Sequence, residues 1–315
     1  MVEKTTAQTR VRNALGVSWR GLVVGLGYTL ATMVGGMVAQ AVGLPLPEMA
    51  SRVDPAQSLG AIFLSGVVIG LTLGSLSARL TLPTAQRAGL LFMVIFVLNS
   101  LINVVEALFF TAIPAAEQVY GLVTSAIGHI GLAVPLALLF RPTSVERGLL
   151  TALRETLGQR RWTSWAWRFG LAGLLYVPTY FFFGFLIYPI VRPYYEDPAL
   201  GLRLAVPGFE VILPLEVGRG LLFVLTVFPL IAVLRRSRWS LAFWLGMTIA
   251  VLGAVTPMLQ VSWFPLTMRV VHGLEITADS IVHGLVIAGF LGMGVAGTGA
   301  RSAMRGDDNW TTASS

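Results

Sequence analysis

Apolar residues fall in long, uninterrupted stretches along this chain. Eight of them, near residues 20–42, 58–78, 87–112, 118–140, 167–190, 213–234, 239–261 and 271–298, are long enough to cross roughly 30 Å of hydrocarbon as helices. They do not alternate apolar and polar positions as barrel strands do. The pattern predicts an all-α polytopic membrane protein with eight transmembrane helices.

Polar interruptions divide the chain. Residues 1–19 form a basic N-terminal segment and 20–140 a first four-helix membrane half. Residues 141–166 form a polar linker, 167–298 a second four-helix half, and 299–315 a tail expected to be disordered. In the linker, Val145, Leu149, Leu150, Leu153 and Leu157 make an apolar stripe opposite Arg147, Arg154 and Arg161. That spacing predicts an amphipathic surface helix. An interfacial connector is its plain role, and docking of a soluble partner the sharper one. Trp162, Trp165 and Trp167 then mark the membrane interface.

The halves echo each other faintly. Thr9–Gly16 resembles Thr151–Gly158, and Trp19-Arg20-Gly21-Leu22 resembles the run from Trp167 to Leu171. With an even number of spans per half, a 4+4 tandem repeat would be parallel, its axis along the membrane normal. Chance likeness between apolar segments is the alternative. Small residues form ridges at Gly66, Gly70 and Gly74 and at Gly284, Ala288, Gly292 and Ala296. Such ridges allow close helix packing, and the first could also carry self-association. Pro178, Pro229 and Pro257 predict kinks.

Composition agrees with this layout. The chain is 55% hydrophobic and 12% charged with a mean hydropathy of +0.77, which excludes a soluble globular protein. All but five of its 22 basic residues are assigned to one side, the exceptions being Arg52, Arg192, Arg203, Arg219 and Arg269. The positive-inside rule then predicts an inner-membrane protein with both termini in the cytoplasm. The net charge of +7 follows from that bias and is no nucleic-acid footprint, although the arginines could attract anionic headgroups. The acids lean the other way, through Glu48, Asp54, Glu106, Glu117, Glu196, Asp197, Glu210, Glu216, Glu275 and Asp279. Plain loop solubility explains most of them; an acidic vestibule for cations is the alternative. With no cysteine, disulfides, thiolate catalysis and thiolate metal sites are excluded. No cleavable leader is expected.

Candidate chemistry centres on the last span. Arg269, His272, Glu275, Asp279 and His283 fall within an arc of about 120° on a helix. Ionisable groups at that depth are costly and mark function by default. Asp279 lies roughly 15 Å deeper than Arg269. Span 3 adds Asn99, Asn103 and Glu106, and span 6 adds Glu216 and Arg219 in the outer layer. Interhelical ion pairing explains that layer plainly; a ligand or ion site is the sharper reading. Asp279 and His283 have no evident opposite charge at their depth and are the better functional candidates.

The expected function is a transporter or permease moving a small cation or polar solute, with proton coupling. Asp279 and Glu275 would bind the ion or proton, His272 and His283 would relay protons, and Arg269 would hold a carboxylate such as Glu106. No cofactor is expected. Two arrangements would contradict that: haem between His129 and His283, or a divalent metal at His272 and Glu275 with Glu106 or Asp279. Either would favour an intramembrane enzyme or redox protein acting on lipid or quinone. A non-catalytic membrane scaffold or accessory subunit is the third class. Ser280, His283 and Asp279 share one helical turn and cannot form a catalytic relay among themselves. No phosphate-binding or dinucleotide fingerprint is present.

Overall fold

The computed structural model describes residues 2–197, 201–202 and 204–292. The expected disordered tail, Ala296 of the second ridge and Arg203 lie outside these residues. The side chains of the Thr9–Gly16 echo before Gly16 also lie outside what is described.

Among the described residues, eight helices are long and apolar enough to cross a membrane. They are span 1 (Gly16–Ala41), span 2 (Pro55–Ser77), span 3 (Thr84–Phe110), span 4 (Ala115–Leu139), span 5 (Trp162–Glu196), span 6 (Phe209–Leu234), span 7 (Arg238–Gln260) and span 8 (Leu266–Leu291). The chain is an all-α, multi-pass membrane protein that contacts a lipid bilayer.

Three spans are irregular. Span 5 breaks at Leu175 between helices Trp162–Leu174 and Tyr176–Glu196. Pro178 lacks the N–H that would bond the Leu174 carbonyl, which explains the break. Pro214 and Pro229, by contrast, lie inside a continuous span 6. Spans 3 and 7 each contain one π-helical turn, at Val97–Leu101 and Val251–Val255. In a π turn the Leu252 carbonyl should receive the N–H of residue 257, which is a proline. The Asn99 amide of span 3 donates to that carbonyl instead, at 2.8 Å. Asn99 also donates to Thr256 Oγ1 at 2.9 Å.

Span 1 packs against spans 2 and 4, and span 3 packs against span 4. Correspondingly, span 5 packs against spans 6 and 8, and span 7 against span 8. The halves meet where span 2 touches span 7 and span 3 touches spans 6 and 7. A Cβ on Gly66 would lie 2.8 Å from Gly25 Cα, and one on Gly70 would lie 3.0 Å from Gly21 Cα. Gly74 faces the Phe140 ring. Span 1 and Phe140 therefore occupy this ridge, as its close-packing reading expects.

The connections gather at two ends. At the acidic end, Arg52 donates to Gly201 O, Glu48 N donates to Glu117, and Ala205 N donates to Phe110 O. At the basic end lies the linker helix Leu149–Leu157. It buries Ala152 and Thr156 and half-buries Leu149 and Leu153, whereas Val145 and Leu150 are exposed. Only part of the predicted stripe faces the protein. Trp165, expected at the interface, is in the core and donates to Leu157 O at 2.9 Å. Arg160 and Arg168 donate to Phe290 O at 3.2 and 2.8 Å, capping the last turn of span 8. Burial first, then neighbouring Arg168 and Arg238, push the Arg160 guanidinium below its ordinary range.

Candidate functional site

Arg219 organises a polar cluster near the acidic end. Span 6 places Glu216 and Arg219 one turn apart, both buried. Arg219 donates through Nη1 to the two carboxylate oxygens of Glu216, each at 2.9 Å. Its Nη2 reaches Glu106 of span 3 at 2.8 Å. The guanidinium also lies 5.8 and 5.9 Å from the rings of Tyr176 and Tyr180 on span 5. One arginine thus ties three helices together.

Span 8 supplies the opposite wall. His272 Nδ1 and Glu275 Oε2 are 2.9 Å apart. Ser280 donates to Asp279 Oδ1 at 3.2 Å. Glu275 and Asp279 are 8% and 3% exposed. Asp279 lies within electrostatic reach of Arg219, Glu275 and Glu106. Arg219 thus pairs with two carboxylates, Glu106 and Glu216, while Glu275 is bonded to His272 and Asp279 to Ser280, so that among the described residues of the cluster acids outnumber the groups that can carry positive charge. A desolvated cluster with that excess of acids needs protons or a bound cation to balance it.

Two cavities lead to the cluster. The first, ≈ 200 Å³, is lined by Phe110, Tyr180, Phe181, Tyr188, Tyr195, His272 and Glu275 among others. The second, ≈ 250 Å³, is lined by Asn103, Glu106, Trp263, Met268 and His272 among others. Phe110, Tyr195 and His272 line both. Asp279 and His283 line neither, so Asp279 sits behind the carboxylates that the cavities reach.

Several expected partnerships change. Arg269 donates to Met258 O at 2.8 Å and to Leu259 O at 3.3 Å, closing the end of span 7. Arg219, and not Arg269, holds Glu106. Asn103 lines the second cavity and donates to Asn99 O. Asn99 belongs to a separate network with Thr256 and His129, whose Nε2 is 3.1 Å from Asn99 Oδ1. Since Asn99 Nδ2 donates elsewhere, its oxygen accepts and the network assigns the proton to His129 Nε2. His129 stacks on Tyr28 at 5.9 Å, whereas His283 packs against Tyr176 at 5.0 Å and Phe223 at 5.7 Å. The two imidazoles thus pack on different aromatic neighbours, His129 in the first half and His283 in the second. Among the described residues, no three His, Asp or Glu side chains converge as a metal site.

The tyrosines Tyr176, Tyr180 and Tyr195 were not singled out by sequence. Their spacing along span 5, one turn to several turns apart, places them on the face toward span 8, but an aromatic-rich span gives that spacing little weight. No protein-family model, curated protein or solved structure matches the chain.

Proposed function

We propose that the protein is a transporter that moves a small cationic or polar solute across the inner membrane with proton coupling, both termini lying in the cytoplasm. The observation that carries this reading is a buried cluster of four carboxylates around one guanidinium, Arg219 pairing with Glu106 and Glu216, with Glu106, Glu275 and His272 of that cluster lining two cavities. A site with that charge balance can exchange protons for a cation. The aromatic lining supports a solute with a cationic centre and an apolar body, because tyrosine faces attract cations. Glu106 and Glu275 meet the solute, His272 relays protons between the cavities, and Asp279 holds the deeper proton. Asp279→Asn and His272→Ala should abolish solute-driven proton movement in proteoliposomes. Unchanged flux in both variants, against every solute that wild type moves, would refute the assignment.

The halves are best explained as a tandem repeat. Trp19, Arg20, Gly25 and Tyr28 are separated from Trp167, Arg168, Gly173 and Tyr176 by one constant number of positions. A second, slightly larger constant relates Gly66, the π turn at Val97–Leu101, Glu106 and His129 to Gly220, the π turn at Val251–Val255, Gln260 and His283. The pairs also match in contact. Gly66 meets Gly25 and Tyr28 as Gly220 meets Gly173 and Tyr176, and each histidine packs on its half's tyrosine. Under this correspondence Gln260, which donates to the Tyr28 hydroxyl at 3.3 Å, takes the place of Glu106, and Ser65 takes that of Arg219. One ancestral site has kept its charges and its counterpart is neutral.

A second reading rests on the His272–Glu275 pair, whose hydrogen bond at a cavity wall suits a general base acting on a lipid or quinone. It predicts a bound metal or chromophore, or turnover of an amphiphile, in the purified protein. A colourless, metal-free preparation without turnover would count against it.

A further inference from the structure

The basic end holds a cavity of ≈ 350 Å³ at the seam between the halves, far from the acidic-end cluster. Three separate segments build it. The turn after span 2 brings Arg79, the linker brings Glu146 and Arg147, and the turn after span 6 brings Arg235 and Arg236. Four guanidiniums thus face two carboxylates, since Arg147 and Arg235 share Glu155. Arg79 is held over the Trp244 ring at 4.5 Å. Arg147 Nε is buried without a hydrogen-bond partner, and Arg236 makes no ion pair or hydrogen bond among the described residues. Arg235 adopts φ 41° and is the only non-glycine with positive φ among the described residues. That conformation costs an L residue on the order of 1 kcal/mol and tends to persist where function needs it.

Topology alone calls for positive charge on this side, but dispersed charge satisfies that rule. It does not call for three segments to converge on one cavity with an unsatisfied guanidinium N–H. We propose that this cavity binds a phosphate-type anion, supplied either by the headgroup of an anionic phospholipid or by a free phosphate group. Guanidinium forks match phosphate oxygens bidentately, which a diffuse lysine patch would not. The bound anion would clamp the linker to the turns after spans 2 and 6.

The test uses the full chain in three preparations: nanodiscs of pure phosphatidylcholine, nanodiscs also containing phosphatidylglycerol, and phosphatidylcholine nanodiscs with inorganic phosphate against sodium chloride at equal ionic strength. The thermal unfolding midpoint should rise with at least one of the two anions. Arg236→Gln, which breaks no native contact, should raise the anion concentration needed for half of that shift about tenfold, the loss of one charge-assisted hydrogen bond. Arg147→Gln should do the same. Arg154→Gln, exposed on the linker helix outside the cavity, should leave it unchanged. A response to phosphatidylglycerol alone assigns the headgroup as the source, and a response to inorganic phosphate assigns a free anion. No response to either, or an equal loss in Arg154→Gln, would overturn the proposal.

Discussion

Arg219 bears more of the acidic-end cluster than any other side chain, because it bonds Glu216 on its own helix and Glu106 on another. Removing it leaves Glu216, 0% exposed, as a buried charge without its partner. Arg219→Gln should therefore destabilise the protein by about 3–5 kcal/mol, the usual cost of breaking a buried pair. Glu106 is 31% exposed at its side chain, so Glu106→Gln should cost distinctly less. Chemical denaturation in detergent would check the order, and equal losses would contradict the arrangement. The sequence placed Glu106, Glu216, Arg219 and Glu275 in one layer, because depth follows from position along a span. It assigned Arg269 as the partner of Glu106, where the structure has Arg219. That choice depends on how neighbouring helices are rotated, which side-chain spacing within one helix leaves undetermined.

At the scale of elements, the π turns of spans 3 and 7 are the main departure from the regular helices expected. Pro257 hints at the one in span 7, but span 3 has no proline there, and its bulge is defined by the packing of Asn99 against Leu252. Asn99→Ala should cost about 1–3 kcal/mol by leaving the Leu252 carbonyl unsatisfied. In a Pro257→Ala background, where a backbone N–H becomes available, the same change should cost less. A double-mutant cycle in denaturant reads that coupling directly, and strict additivity would contradict the account. The glycine ridge of span 2 was legible as a tight helix contact, but its partner was not. Since span 1 fills it, Gly66→Leu should lower the unfolding temperature without altering the oligomeric state seen by native mass spectrometry. A change of state at unchanged stability would instead mark the ridge as an external interface.

The whole molecule was the most legible level, since eight apolar runs and their polar breaks follow from length and hydropathy alone. Boundaries moved by a few residues, and span 5 proved longer than expected, its outer part carrying Tyr195 of the cavities. The absence of cysteine makes topology simple to test. A single cysteine at Asp54 should react with an impermeant maleimide on intact cells, and one at Arg154 only after permeabilisation. The reverse pattern would invert the proposed orientation. Orientation does not decide function, and the cluster around Arg219 carries that claim. The most direct measurement is proton movement in proteoliposomes loaded with a pH-sensitive dye and challenged with cationic and polar solutes. The account predicts a solute-dependent pH change in wild type that Glu106→Gln and Asp279→Asn each abolish while the folded protein is retained. A pH change that survives both substitutions, or none with any solute, would contradict it.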